Sequence, residues 1–118
     1  MTTKIKIPRL AKKKATTMGR FSVDVELANI EDVVLARLGQ ITADQVRRVK
    51  IRGVVDPGAT RLVIPASVAK QLGLPTAGKI HVRYADGRTA VRKLVDGVHL
   101  ELLGRSSVFK AGVEPKRE

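Results

Sequence analysis

Residues 54–65 read Val-Val-Asp-Pro-Gly-Ala-Thr-Arg-Leu-Val-Ile-Pro. In this stretch an acidic residue directly follows an apolar pair at the end of an alternating, strand-like run. A carboxylate is costly to bury unless a charged or hydrogen-bonding group meets it, and Gly58 lets backbone amides approach it closely. The sequence therefore places Asp56 where a structural core has no use for a charge, which makes it the first candidate functional residue.

The residues on both sides of this run show the patterns of short strands and helices. Apolar and polar residues alternate over 21–27 and 48–55, which predicts two half-buried strands. Residues 62–64 predict a short strand that leads into a helix, with Pro65 at its first position and Gly73 at its end. The spacing of apolar residues over 30–38 predicts another short helix, with Gly39 as its C-terminal cap.

The second half of the chain is predicted to consist of strands and tight turns. Residues 80–84 and 89–95 flank an Asp-Gly pair that supplies the positive φ angles of a hairpin turn. A second Asp-Gly pair at 96–97 predicts another turn, followed by strands over 98–103 and 106–113. The chain is therefore predicted to be mostly β, with one or two short helices.

The positive charge is concentrated at the N-terminus. The chain has 118 residues, with 23 Lys and Arg against 11 Asp and Glu, and residues 1–20 hold seven of the basic residues and none of the acidic ones. Because residues 12–17 show no apolar period that could order the segment, we predict a flexible basic arm over 1–20 and a folded domain over 21–118. The arm is open to three interpretations: an electrostatic contact for nucleic acid or acidic partners, a solubilising extension, or residues upstream of a true start at Met18.

Composition excludes several classes of function. Leu, Ile, Val and Phe make up 36 of the 118 residues. This share, roughly 31%, is well above the ~20% of the chain below which a core does not form. Cysteine is absent and only two histidines are present, so thiolate metal sites and cysteine nucleophiles are excluded. No uncharged apolar run reaches the length of a membrane helix. Phosphate-binding loops and serine-hydrolase elbows are missing as well. We expect a soluble, cytoplasmic protein.

The run over 54–65 resembles the active-site loop of the retropepsin-like aspartic peptidases. That loop reads apolar, apolar, Asp, Thr or Ser, Gly, Ala, and leads into a Leu-Val-Ile-Pro-like strand and a short helix. The resemblance extends from about Phe21 to Val113, and the helix over 68–74 and the hairpin over 84–89 look like those of bacterial members. It implies a mostly-β, retropepsin-like acid-protease half-barrel with one or two short helices.

The resemblance also implies roles for individual residues. Asp56 carries over as the catalytic carboxylate of an aspartic endopeptidase, and the active-site loop continues through Pro57, Gly58, Ala59 and Thr60. Tyr84, Ala85, Asp86 and Gly87 carry over as the tip of a flap that closes over the peptide. One such Asp per chain implies a homodimer acting on a peptide or protein substrate, with no metal or organic cofactor.

Two departures from the family pattern bear on activity. Pro57 stands where the family has Thr or Ser, and it lacks both the hydroxyl and the amide hydrogen that paired loops exchange across a dimer. An apolar-apolar-Gly motif that crosses behind the loop is expected near the C-terminus, but Leu102-Leu103-Gly104 comes too soon after Asp56. Pro57 leaves open a catalytically degenerate fold that only binds peptides, and the early motif leaves open a domain that is truncated at its C-terminal end.

A rival interpretation comes from a different class of protein. Residues 61–74 and 78–88 look like the swapped-hairpin transition-state regulators and antitoxins, which are small, basic, dimeric DNA-binding modules. That module leaves residues 21–55 and 98–113 without a role. An unrelated small β domain is the remaining alternative.

Overall fold

A computed structural model describes residues 4–7, 21–55, 61–84 and 86–115. Seven strands account for most of these residues: β1 (Lys4–Ile7), β2 (Phe21–Asn29), β3 (Arg48–Val55), β4 (Leu62–Pro65), β5 (Thr76–Arg83), β6 (Thr89–Leu102) and β7 (Arg105–Glu114). Two short helices, α1 (Ile30–Arg37) and α2 (Ala66–Leu72), and one 3-10 turn at Ala43–Gln45 complete the described elements. The predicted fold class, mostly β with two short helices, is confirmed.

The strands form one mixed sheet in the order β2-β3-β1-β4-β7-β6-β5. β2 also pairs with the second half of β6, from Val98 to Glu101, so the sheet curls back on itself in the manner of a half-barrel. β1 runs parallel to β3, and β4 runs parallel to β7. The remaining pairings are antiparallel, including the β5–β6 hairpin.

Local sequence explains where both helices begin and end. The Asn29 side chain caps α1 by accepting hydrogen bonds from the backbone amides of Glu31 and Asp32. Gly39 follows α1 with a φ of 77°, and Gly73 ends α2 with a φ of 63° in the left-handed region. Both glycine stops agree with the sequence prediction. Pro65 lies one position earlier than predicted, as the last residue of β4 and the cap of α2.

The core lies between the curled sheet and α2. It contains residues from five strands and from the apolar face of α2, namely Ile7, Val25, Leu27, Leu62, Ile64, Val68, Ala69, Leu72, Val95, Val98, Leu100, Ala111 and Val113. The alternation in β4, where Leu62 and Ile64 are buried and Val63 and Pro65 are half-buried, is what the short apolar run predicted. Of the helices in the described residues, none is long and apolar enough to cross a membrane.

Two local predictions differ from the structure. Four residues of the predicted flexible arm, Lys4–Ile7, form β1 inside the sheet, because the Lys-Ile-Lys-Ile pattern is itself a strand alternation. Residues 8–20 lie outside the described part of the chain, and the domain boundary at 20/21 stays a prediction. The second Asp-Gly pair makes no hairpin turn: Gly97, with a φ of 79°, sits in an irregularity of the continuous strand β6, between the part that pairs with β5 and the part that pairs with β2.

Candidate active site

The candidate active-site loop is held at both ends by paired strands. Val55, the residue before Asp56, pairs with Ile7 of β1 on one side and with Phe21 of β2 on the other. On the far side of the loop, Leu62 pairs with Ala111 of β7 and is almost fully buried. The loop therefore connects two strands of the sheet interior, whose backbone positions are fixed by their neighbours.

The predicted residues of the loop itself, Asp56, Pro57, Gly58, Ala59 and Thr60, lie outside the described residues. Their roles stay predictions. The structure shows where the chain enters and leaves the loop, at Val55 and Arg61, and which strands those two ends belong to or adjoin.

The predicted flap is a tight β-hairpin. The amide of Tyr84 donates to the carbonyl of Arg88 at 2.8 Å, and the amide of Gly87 donates back to the carbonyl of Tyr84 at 2.9 Å. The Asp86 carboxylate accepts hydrogen bonds from the Arg88 amide at 3.0 Å and from its Nε at 2.8 Å, and these bonds lower the pKa of Asp86 below its usual value. Gly87 supplies the positive φ, 90°, that the Asp-Gly pair predicted. Ala85 lies outside the described residues.

Behind the turn, Tyr84 contacts two arginines. The guanidinium carbons of Arg88 and Arg92 lie 5.1 and 5.8 Å from the centre of the Tyr84 ring, within the range of cation–π attraction. Arg92 Nη2 also donates to the Tyr84 hydroxyl at 2.7 Å. These contacts fix the aromatic ring at the base of the turn, on the half-buried side of the hairpin.

The root of the hairpin meets the outgoing end of the loop above Gly112 of β7. A Cβ built on Gly112 would lie 3.0 Å from Cδ1 of Ile80 and 3.8 Å from Cδ of Arg61. A larger residue at 112 would therefore press on the end of the Ile80 side chain, which would have to shift by a few tenths of an ångström, and would meet Arg61 at ordinary contact distance. Gly112 thus allows a close approach here, and its φ is not in the left-handed region.

Sequence reasoning missed the residues that meet around Gly112 of β7. Arg61, Ile80 and Gly112 were not among the predicted site residues, and neither was Arg92, which donates to the Tyr84 hydroxyl. The alternation of the hairpin contained one usable signal: Ile80 lies opposite Arg92 in the register, on the same face as Val82. Nothing in the local sequence indicates that Gly112 would lie beneath Ile80, because that contact depends on how β7 is placed in the sheet.

A cavity of about 220 Å³ lies elsewhere, between α1 and the outer side of the sheet. It is lined by Glu26, Ala28, Val33, Ala36, Ala43, Val46, Arg48, His99 and Glu101. None of these residues belongs to the loop, to the two residues beside it or to the hairpin turn. The chemistry predicted for Asp56 therefore has no connection with this cavity.

Comparison with protein families gives one match. The model of a family described as aspartyl protease matches residues 40–111, which is more than half of the chain and includes the loop, β3 to β6 and most of β7. Comparisons with curated proteins and with solved structures gave no match. The matched residues coincide with the loop, the short helix and the hairpin from which the resemblance was drawn, and the fold is the mostly-β one that it implies. The chain belongs to the aspartyl protease family, of the retropepsin-like type.

Proposed function

We propose that this chain is an aspartic endopeptidase in which the Asp56 carboxylates of two identical chains act together on a peptide bond. The observation that carries the proposal is the family match over residues 40–111, which spans the Asp56 loop and the hairpin predicted to be the flap. A single Asp of this kind per chain requires a second copy, because the reaction uses two carboxylates that face each other.

The other aspartates of the matched region support this choice because each has a local partner. Asp44 accepts a hydrogen bond from the Thr42 hydroxyl, which lowers the pKa of Asp44. Asp86 is bound by Arg88 within the hairpin turn. Asp96 lies 3.7 Å from Lys110 Nζ and accepts a hydrogen bond from the Gly97 amide. These contacts are structural, and they leave Asp56 as the aspartate with the family's sequence context.

The proposed reaction is a direct hydrolysis with no covalent intermediate. Two carboxylates about 3 Å apart cannot both be ionised, so they share one proton. The ionised member takes a proton from a water molecule, whose oxygen attacks the carbonyl carbon, while the protonated member gives its proton to the carbonyl oxygen. The carboxyl group that took the proton from water then gives it to the amide nitrogen, while the other carboxylate takes a proton from a hydroxyl of the tetrahedral intermediate. The C–N bond breaks, which yields a carboxylic acid and an amine and restores the shared proton.

The hairpin supplies the cover that this reaction needs. Its half-buried face carries Ile80, Val82 and Tyr84, whereas Lys79, His81 and Arg83 on the opposite face are exposed. In the proposed complex the half-buried face lies over the substrate and excludes water from the reacting carbonyl. The arginines around Tyr84 hold the ring of that residue in place.

The segments on which the DNA-binding alternative rested, residues 61–74 and 78–88, lie inside the matched range. β4, β5 and β6 are also continuous with the rest of the seven-stranded sheet, so the strands at 21–55 and 98–113 have a place in one fold. Both observations favour the peptidase over a separate DNA-binding module.

The test compares cleavage of an unstructured polypeptide by the wild type and by Asp56→Asn, from acidic to neutral pH, with the dimer fraction recorded in each sample. We expect cleavage by the wild type and none by Asp56→Asn, which should keep the fold because Asn is a neutral isostere. Equal cleavage by both proteins would refute the proposal. A confirmed wild-type dimer without activity would instead indicate a degenerate fold that binds peptides.

A second variant tests the account of Pro57. Pro57→Thr restores a hydroxyl and an amide hydrogen to the loop, and we expect it to raise the cleavage rate or the dimer fraction. A fall in both quantities would show that the missing hydroxyl and amide hydrogen of Pro57 do not weaken activity or dimer formation.

A further inference from the structure

The strand nearest the N-terminus lies between the two strands that carry the active-site loop. β1 pairs with β3 on one edge and with β4 on the other. In the order of the sheet, β3 and β4 are neighbours of β1 and not of each other. The spacing between the start and the end of the loop is therefore set by β1.

The register places the end of β1 beside the loop itself. Ile7 lies opposite Val55, the last residue before Asp56, and Lys6 lies opposite Val63, the second residue of β4. Two consecutive residues of β1 thus pair with positions next to the two ends of the loop. A shift of β1 by one residue would change both pairings at once.

The side chain of Ile7 fixes that register. Ile7 is fully buried, with 0% exposure, and belongs to the same apolar cluster as Leu62 and Ile64 of β4. Pairing along one edge could slip, but an isoleucine in the core cannot move by one residue without turning to the other face of the sheet. The apolar contact and the backbone pairing therefore specify the same position for β1.

We propose that β1 is a positioning element of the active site: the N-terminal strand holds the two ends of the Asp56 loop at the separation that catalysis requires, and Ile7 is its anchor. Without β1, the facing edges of β3 and β4 are left unpaired, and an extended peptide of the same sequence can add to them by strand pairing. The catalytic part of this inference rests on the proposed function, whereas the strand addition does not.

The first experiment uses a chain that lacks residues 1–8, with a synthetic peptide of residues 1–10 added in trans. We expect the peptide to bind saturably by fluorescence anisotropy, to raise the Tm of the shortened chain and to restore its cleavage activity. The matched control is the same peptide with Ile7→Asp, which we expect to do none of these. A shortened chain that is as stable and active as the full chain would overturn the proposal, as would equal binding of the two peptides.

The second experiment uses the full chain and remains decisive if the shortened chain does not fold. Ile7→Ala loosens β1, whereas Asn29→Ala removes buried hydrogen bonds at the far end of the sheet. Both variants are assayed at a temperature at which circular dichroism shows them folded. We expect kcat to fall on the order of 10- to 100-fold in Ile7→Ala, with KM nearly unchanged, and to stay at the wild-type value in Asn29→Ala. Conservative Ile7→Val should recover most of kcat.

The two experiments separate the position and role of β1 from the peptidase activity of the chain. If the wild type shows no cleavage that depends on Asp56, peptide binding and the Tm of the shortened chain still decide whether β1 occupies this position. If the wild type does cleave and Ile7→Ala keeps its kcat, β1 is structural only and the positioning role is wrong.

Discussion

The two ends of β3 are stabilised in different ways. At its start, partly buried hydrogen bonds join Arg47 to Asp32 of α1, and a buried one joins the neighbouring Asn29 to Leu72 of α2. At its end, next to the active-site loop, Val55 is held by backbone pairing with strands on both sides. The start of β3, which we call the helix end, is thus specified by a few polar side chains. The end of β3 next to the active-site loop, which we call the loop end, is specified by the order of the strands in the sheet.

The helix end depends on two polar residues that are almost completely buried. Asn29 Nδ2 donates to the carbonyl of Leu72 at 2.8 Å, and its Oδ1 caps α1. The Asp32 carboxylate accepts from Arg47 Nε at 2.8 Å, from Arg47 Nη2 at 3.0 Å and from the Arg47 amide at 3.0 Å. Together these groups tie α1, the end of α2 and the start of β3 to one another, so loss of either residue should loosen this end and leave the loop end intact.

Asn29→Ala should have the largest effect on stability. It removes the cap of α1 and leaves the Leu72 carbonyl without its buried partner, so we expect a loss of about 2–4 kcal/mol in the free energy of unfolding. Urea denaturation of the variant measures this loss. Asn29→Ser is the matched control, because its hydroxyl oxygen can still cap α1 without burying a charge, and it loses the donor to Leu72. If Asn29→Ala loses less than about 0.5 kcal/mol, the helix end does not depend on this residue.

Asp32→Asn should have a smaller effect that varies with pH. Hydrogen bonds from Arg47 lower the pKa of Asp32 below its usual value, while the same pairing raises the pKa of Arg47. Because the folded state holds Asp32 ionised to lower pH than the unfolded state does, this contribution is present above about pH 4 and is lost as the pH falls through the lowered pKa. We expect Asp32→Asn to lose about 1–3 kcal/mol at neutral pH.

The pH dependence provides the control for this variant. The difference in unfolding free energy between the wild type and Asp32→Asn should shrink steadily as the pH falls below about 4, measured by thermal or urea unfolding at each pH. Two curves that stay parallel through the acidic range would show that the charge of Asp32 contributes nothing. The cleavage rate at a temperature well below the Tm should be the same in both proteins, because Asp32 lies at the end of β3 away from the loop.

Local sequence patterns predicted much of the fold, but only part of the difference between the two ends of β3. Period-two alternation predicted β2 and β3 to within two residues at each end, and the glycine stops predicted the ends of α1 and α2. The pair formed by Asp32 and Arg47 spans 15 residues, and the partner of each residue is chosen by the tertiary fold. No periodicity in either segment indicates that Asp32 and Arg47 would pair.

The loop end shows the same limit more sharply. The residue pattern assigned no strand of this chain to the position between the two strands that flank the loop. In the structure the strand between β3 and β4 is β1, from the N-terminal segment that the charge count had marked as a flexible arm. The positive charge favoured disorder for residues 1–20. Four residues of alternating Lys and Ile nevertheless form a strand of the sheet, because the Ile7 side chain is buried in the core. Net charge averaged over a segment therefore concealed a strand within it.

A pair of glycine variants should give the smallest effect and the sharpest test of how the helix end is connected. Gly39 and Gly73 both have left-handed φ angles, 77° and 63°, so alanine at either position should cost about 1 kcal/mol of backbone strain. A Cβ on Gly39 has nothing within 4 Å, whereas a Cβ on Gly73 would overlap Nη1 of Arg47. Gly73→Ala must therefore also displace the guanidinium that binds Asp32, and we expect it to lose more stability than Gly39→Ala.

The excess loss at Gly73 should depend on Asp32. In an Asp32→Asn background the guanidinium of Arg47 has less to lose by moving, so the difference between Gly73→Ala and Gly39→Ala should shrink, and a double-mutant cycle by urea denaturation measures that coupling. Gly39→Ala, which contacts neither residue, should cost the same in both backgrounds. Equal costs for Gly73→Ala in both backgrounds would mean that Arg47 moves aside freely, and the start of β3 would then depend on Asn29 alone.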